Sequence, residues 1–456
     1  MSTFAVIDPA TLETVADVAD QGLDDARRAV DAAGAAFRSW SSTAPRHRSE
    51  ILHRTFELML RDRAELAEMI STENGKSLAD AAGEVTYAAE FFRWFAEEAV
   101  RPGGDYGEAP AGGARTLVSH RPVGVAALVT PWNFPAAMIT RKIGPALAAG
   151  CTAVVKPAAE TPLTALAIAR LLTEAGLPDG VVTVVTTTDA SGVVGAWLAD
   201  ERVRKISFTG STAVGRVLLR QAADRVVNSS MELGGNAPFV VTEDADLDAA
   251  VAGAMIAKFR NGGQACTAAN RFLVHAAVAD AFVAKFGAAV EKLTVGPARD
   301  GSAIGPLISE NAVQRVTRTV KKLIEAGARI THRAPVPDAA GHFYPPTVLV
   351  DAPHLTEEIF GPVAPISTWT GEEELLERVN ATEYGLAAYV YAGDLRRAIR
   401  LGEAVDAGMV GINRGLVSDP SAPFGGVKQS GLGREGARDG LREFQETRYL
   451  SVDWPA

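Results

Sequence analysis

Apolar side chains recur every three to four residues through the first hundred positions. Over 23–40 the stripe is Ala26, Val30, Ala33, Phe37 and Trp40, and over 46–71 it is Leu52, Phe56, Met59, Leu60, Leu66 and Ile70. That period belongs to amphipathic helices. It predicts one helix over 23–40, one continuous helix over 46–71 and a third, rich in aromatics, over 79–100, all supplying helix-packing core. Residues 102–113 are dense in Gly and Pro and interrupt the chain, and an extended arm follows over 115–120. Then the texture changes. Short β-branched runs at 123–130, 152–155, 181–185 and 205–208 alternate with Ala/Leu-rich stretches at 138–149, 164–175 and 193–199. Such alternation builds βαβ units and a parallel sheet. A second alternation runs from about 237 to 410, and a Pro/Gly-rich segment covers 420–436. The fold class is α/β.

A chain of 456 residues exceeds what one hydrophobic core sustains, so two or three domains are expected. Hydrophobic residues at 47% and charged residues at 22% exclude a mainly disordered chain. The formal net charge of −10 gives no electrostatic basis for binding nucleic acid or an anionic membrane. No apolar run approaches the ~18–20 residues that span a bilayer, and the N-terminus lacks the regions of a secretory signal. A cytoplasmic protein is expected. The two cysteines, Cys151 and Cys266, exclude a disulfide scaffold and a paired-cysteine zinc site. The seven histidines show no metal-ligand spacing, so no metal is expected.

Two motifs fail on context. Gly431-Leu432-Gly433-Arg434-Glu435-Gly436 matches the dinucleotide fingerprint as a string, but no hydrophobic strand precedes it and the fingerprint requires one. It reads as a loop with unusual backbone angles. Gly75-Lys76-Ser77 is half a P-loop, with Ile70 where the first glycine belongs.

Four segments keep a chemical reading. Cys266 lies in Asn261-Gly262-Gly263-Gln264-Ala265-Cys266, a glycine-rich turn with open approach to a thiolate nucleophile. The alternative is a small buried hydrophobe, which suits Cys151 far better. Glu232, in Met231-Glu232-Leu233-Gly234-Gly235-Asn236, is a lone carboxylate in apolar company whose raised pKa suits a general base; alone it is a weak signal. Asn133, after a predicted strand, can donate to a developing oxyanion or simply cap a turn. Ser207-Phe208-Thr209-Gly210-Ser211-Thr212 leaves a strand and opens a helix, a moderately specific place for a phosphate.

Together and in this order, the four segments resemble the aldehyde dehydrogenase superfamily. The likeness runs over nearly the whole chain and includes Glu357-Glu358-Ile359-Phe360-Gly361-Pro362 and Pro423-Phe424-Gly425-Gly426-Val427-Lys428. It implies an aldehyde dehydrogenase-like fold. A Rossmann-type cofactor-binding domain would take 1–103 and 123–234, an α/β catalytic domain 235–428, and a β oligomerisation arm 104–122 and 437–456. A homo-oligomer, dimer or tetramer, follows, because such an arm needs a partner sheet edge. The resemblance also implies roles. Cys266 attacks the aldehyde carbon to give a thiohemiacetal, and the Asn133 amide and the Cys266 N–H hold the oxyanion. Hydride passes to nicotinamide, and Glu232 activates the water that hydrolyses the resulting thioester. Lys156 matches the lysine beside the adenosine ribose, with Ala158 and Ala159 following it. Thr209, Gly210 and Ser211 match the diphosphate turn. Glu358 and Phe360 lie by the nicotinamide ribose and ring, and Trp132 and Leu233 beside the cofactor. NAD-preferring relatives usually carry a glutamate three residues after the lysine; here Ala159 stands there. A 2′-phosphate meets no carboxylate at that position, which favours NADP over NAD, although Glu160 lies one place further on.

Within the superfamily the likeness is closest to succinate-semialdehyde dehydrogenases, through 136–142, 232–238, 258–261, 411–418 and 431–436. There the positions matching Arg141, Arg260 and Ser418 hold the substrate's distal carboxylate, as an ω-carboxylate in a tunnel requires. Alternatives are a broad-specificity, aromatic or glutarate-semialdehyde dehydrogenase. Position 268 is Ala268, so the second cysteine that gives some relatives a redox switch is missing.

Overall fold

The computed structural model describes residues 2–101 and 103–454. Met1, Pro102, Pro455 and Ala456, which the segments above include, lie outside them. The run of β-branched stretches becomes a six-stranded sheet ordered Gly431–Leu432, Asn228–Glu232, Val203–Thr209, Val125–Val129, Thr152–Lys156, Val182–Val184. All neighbours are parallel except the first pair. Val125–Val129 and Thr152–Lys156 are buried at every position, as strands covered on both faces must be. The register sets Val129 opposite both Lys156 and Phe208, and Thr209 opposite Glu232, so four strands end level. Sequence order reverses between Val125–Val129 and Val203–Thr209, and at such a point open α/β sheets bind ligands beyond the strand ends.

A seven-stranded sheet forms from the second alternation. Its order is Arg329–Arg333, Thr347–Val350, Val363–Trp369, Ala269–His275, Ala237–Val241, Ala387–Tyr391, Met409–Ile412, antiparallel only at its first pair. A third sheet pairs Ala114–Pro122 with Gln445–Asp453 on one side and Asp105–Glu108 on the other; Tyr106 and Tyr449 on it are exposed. Its C-terminal strand begins at 445, because the preceding helix, Ala437–Arg442, packs instead on the helices Leu78–Ala99 and Pro135–Ala149.

The helical first hundred residues differ from expectation in two respects. An N-terminal hairpin, Thr3–Ile7 with Thr14–Ala19, precedes them; mostly exposed, it leaves no apolar stripe to read. The stretch over 46–71 is two helices, Pro45–Arg61 and Arg63–Asn74, broken at Asp62, where Arg61 folds onto the Asp62 carboxylate at 2.7 Å. The helix Pro135–Ala149 is buried at every residue, Arg141 and Lys142 included. Two buried cations side by side in a central helix require partners nearby.

Candidate active site

Cys266 is delivered by backbone that cannot run as a regular element. The helix Leu247–Phe259 gives way to the turn Arg260–Gly263, in which Asn261 and Gly263 have φ of 50° and 75°. A Cβ at Gly263 would stand 2.3 Å from the Gly361 carbonyl, so only glycine fits. The turn ends at Cys266, half-buried between buried Ala265 and Thr267. Asn133 is tied to this turn by its side chain and its backbone. Its Nδ2 donates to the Gln264 carbonyl at 3.1 Å, while its carbonyl accepts from Asn261 Nδ2 at 2.8 Å and Lys76 Nζ at 2.7 Å. A primary amide carries two N–H donors; Gln264 fixes one and leaves the other for an oxygen. From the opposite side, a Cβ at Gly235 would lie 2.2 Å from the Cys266 carbonyl. The glycines after Glu232 thus let two sequence motifs touch. Burial pushes the Cys266 thiol up to about 12, with Glu358 and Glu232 pushing the same way and Arg141 and Arg260 opposing.

Glu232 ends the strand Asn228–Glu232 and is 2% exposed. Its Oε2 has no hydrogen-bond partner among the described residues. Burial first, then the charge of Glu435, push its pKa well above the usual carboxylate range against Arg141, Lys142 and Arg434. Burial also works to raise Glu435, but Arg141 and Lys142 outweigh it and hold that carboxyl low. Glu435 is ion-paired to both Arg141 and Lys142, and Lys142 Nζ donates onward to Ser207 Oγ at 3.0 Å. Two carboxylates therefore share one buried pocket of charge, one kept ionised and one kept basic.

Two cavities meet at the cysteine; Cys266 and Met138 line both. The first, of about 410 Å³, is walled by Trp132, Asn133, Thr209, Gly210, Ser211, Leu233, Glu358 and Phe360. Ser211 caps the helix Thr212–Ala223, its Oγ accepting from Val214 N–H, and the buried Thr209 hydroxyl has no partner among the described residues. Trp132 and Phe360 meet edge to face with centroids 5.5 Å apart. Glu358 Oε1 accepts from Gly235 N–H at 3.2 Å, and burial raises this carboxyl to about 7 against the pull of Gly235 N–H and Lys258. The second cavity, of about 260 Å³, is walled by Tyr87, Phe134, Arg141, Arg260, Ser418 and Phe424 among others. Arg141 lies 4.0 Å over the Phe424 ring and reaches Met138 Sδ at 3.1 Å. Arg260 lies 5.1 Å over the Phe134 ring and makes no ion pair among the described residues.

The sequence matches the model of the aldehyde dehydrogenase family over residues 1–450. This chain belongs to the aldehyde dehydrogenase family. It is 53% identical to a succinate-semialdehyde dehydrogenase of Paenarthrobacter nicotinovorans, over 97% of this chain and 99% of that protein. It is 48% identical to a glutarate-semialdehyde dehydrogenase of Pseudomonas putida, over 99% of this chain and 94% of that protein. A crystal structure of an Escherichia coli NADP-dependent enzyme superposes with a TM-score of 0.97 at 46% identity, covering 99% of this chain and 95% of that one.

The aldehyde dehydrogenase cavities gather nine of the predicted catalytic and cofactor residues in the first, and all three substrate residues in the second. Others stand apart. Glu232 lines neither cavity, its carboxylate lying toward Gly425. Lys156 ends the next strand of the sheet and Ala158 and Ala159 follow it; that strand's end is level with the Asn133 loop through Thr130 N–H donating to the Lys156 carbonyl at 3.1 Å. Burial lowers the Lys156 pKa against the pull of Glu160, and its Nζ rests on the Pro157 carbonyl at 2.9 Å. Cys151 is fully buried, as its apolar surroundings imply. The loop over 431–436 does take positive φ at Gly431, Gly433 and Gly436, and it carries Glu435, whose importance the sequence did not signal. The half P-loop lysine, Lys76, pairs in the core with Glu84 and holds the Asn133 carbonyl. Arg315, on the helix Glu310–Glu325, lines the first cavity with no motif to announce it. No group of three or more metal-ligating side chains occurs among the described residues, and no helix there is long and apolar enough to cross a membrane.

A nicotinamide dinucleotide fits the first cavity. The capped helix start suits a diphosphate, the unpartnered Thr209 hydroxyl and Glu358 carboxylate suit polar ribose groups, and Trp132, Leu233 and Phe360 supply apolar walls.

Proposed function

We propose that this enzyme oxidises an aldehyde bearing a distal carboxylate, succinate semialdehyde first, to the acid with NADP. One observation carries the reading: a single cysteine joins a cavity opening on a helix N-terminus to a cavity whose Arg260 has no ion-pair partner among the described residues. A bare guanidinium in a confined tunnel calls for an anionic ligand. The nicotinamide, when bound, supplies the hydride acceptor. Thr209, Gly210, Ser211, Trp132, Leu233, Glu358 and Phe360 hold it, and Lys156, Ala158 and Ala159 flank its adenosine end. Ala159 presents no carboxylate to a 2′-phosphate, and the NADP-dependent neighbour points the same way. Cys266 gives up its proton to solvent water and attacks the carbonyl carbon. Asn133 Nδ2 and the Cys266 N–H hold the oxyanion. Glu232, kept basic by burial and by Glu435, turns toward Cys266 and takes the proton of the hydrolytic water. Arg260, Arg141 and Ser418 hold the far carboxylate.

In this reading 1–103 with 123–234 bind the cofactor, 235–428 carry the nucleophile, and 104–122 with 445–454 form the arm, the helix Ala437–Arg442 staying against the cofactor-binding helices. The exposed Tyr106 and Tyr449 on that arm's sheet suit a homo-oligomer, and the cytoplasm is its proposed location. Glutarate semialdehyde is the second substrate reading, favoured by the Pseudomonas relative. Steady-state kinetics with succinate semialdehyde, glutarate semialdehyde, benzaldehyde and butanal, each with NAD and NADP, tests the whole. The highest kcat/KM is expected for succinate semialdehyde with NADP. A preference for butanal or benzaldehyde refutes the carboxylate reading, and a strong preference for NAD refutes the cofactor reading.

A further inference from the structure

The helix Leu78–Ala99 sets Asp80, Gly83, Glu84 and Tyr87 on the wall of the second cavity, and positions three and four apart share one helical face. Two of these side chains are engaged. Glu84 pairs with Lys76 and accepts from Ala136 N–H at 2.9 Å and Ala137 N–H at 3.2 Å. Asp80 accepts from Asn261 N–H at 2.8 Å. Tyr87 is different: its hydroxyl oxygen is buried and makes no well-formed hydrogen bond among the described residues, with Arg141 and Ser418 the polar groups within its reach. The ring packs edge-on against Phe91, centroids 5.0 Å apart at 72°, which fixes its direction. Burial raises the phenol pKa against the pull of Arg141 and Arg260, with Ser418 also beside it, so the group is a donor at neutral pH. Buried hydroxyls find partners, and guanidiniums offer no acceptor. A phenol, a serine and two guanidiniums around one cavity offer only donors to an anionic oxygen group, and the distal carboxylate of the proposed substrate is such a group.

We propose that Tyr87 donates its hydroxyl to the distal carboxylate of the aldehyde and is a specificity determinant beside Arg141, Arg260 and Ser418. This rests on the reading that the substrate carries that carboxylate. The phenol adds direction to a charge-based grip, since its O–H lies on a ring with little rotational freedom.

Tyr87→Phe removes the oxygen and keeps the ring packed on Phe91. With succinate semialdehyde and NADP, kcat/KM is expected to fall about tenfold, as for a lost hydrogen bond to a charged group. The loss falls on KM; kcat and the kcat/KM for butanal stay at wild-type values. The inhibition constant of succinate, competitive with the aldehyde, rises by the same factor. An equal loss on both aldehydes, or an unchanged ratio between them, overturns the assignment. If the wild type itself does not distinguish succinate semialdehyde from butanal, the carboxylate reading fails and Tyr87 with it. If the wild type distinguishes them and the variant does so equally well, the Tyr87 assignment alone fails.

Discussion

Replacing Arg260 with Ala is the sharpest test of the carboxylate grip, and the structure says why Arg260 serves better than Arg141. Arg141 is 1% exposed and shares Glu435 with Lys142. Removing one member of such a buried cluster destabilises a fold by roughly 3–5 kcal/mol, so loss of activity in an Arg141 variant would mix binding with folding. Arg260 is half-buried, makes no ion pair among the described residues, and rests on Phe134 at 5.1 Å. A contact of that kind contributes on the order of 0.5–1 kcal/mol. The variant should therefore fold, with a small drop in melting temperature. Losing a hydrogen bond to a charged group costs roughly 1.5–3 kcal/mol, which corresponds to about a 10- to 150-fold fall in kcat/KM for succinate semialdehyde. The assay is steady-state reduction of NADP at saturating cofactor, with succinate semialdehyde and butanal in parallel. The fall is expected in KM for the semialdehyde alone, and Arg260→Lys should fall between, since lysine keeps the charge and loses the planar fork. Equal losses for both aldehydes, or an unchanged KM for the semialdehyde, would refute the reasoning.

Other expectations follow from the same geometry. Glu232→Gln should keep a pre-steady-state burst of reduced cofactor while slowing turnover about 10²- to 10⁴-fold, the usual contribution of a general base; loss of the burst would show that Glu232 acts before hydride transfer. Because the pKa of Glu232 is raised, its basic form accumulates as pH rises, so kcat should climb with pH through that raised value. Glu435→Gln removes the like charge and frees Arg141 and Lys142 to pull on Glu232, so the acidic limb of the profile should move to lower pH; an unmoved or upward-shifted limb counts against this coupling. Ala159→Glu should lower kcat/KM for NADP while sparing that for NAD, and an unaltered ratio would show that this position does not meet the 2′-phosphate.

Much of the site was legible as strings because its chemistry demands particular local backbone. A cysteine in a glycine-rich turn, a carboxylate followed by two glycines, and an asparagine after a strand each need only neighbours in sequence. The helix start at Ser211 was equally local, its Oγ bonding Val214 three residues on. Glu435 was not legible: it matters because it meets Arg141 and Lys142 from nearly three hundred residues away in the chain. Nor was the engagement of Lys76, which resembled part of a phosphate loop until folding put it between Glu84 and the Asn133 carbonyl. The single helix expected over 46–71 failed for a related reason, since an apolar stripe continues across a break made by one backbone position.

By itself the sequence determined the α/β class, because hydrophobic period is a property of neighbouring residues, while its resemblance to aldehyde dehydrogenases named the proposed nucleophile, oxyanion donor and carboxylate grip. Only the tertiary structure decided which of these touch, that Glu232 rests away from both cavities, that Arg141 is ion-paired to Glu435 while Arg260 makes no ion pair among the described residues, and that the Tyr87 hydroxyl shares their cavity. Burial and charge pairing arise between segments far apart in the chain, and no local pattern encodes them.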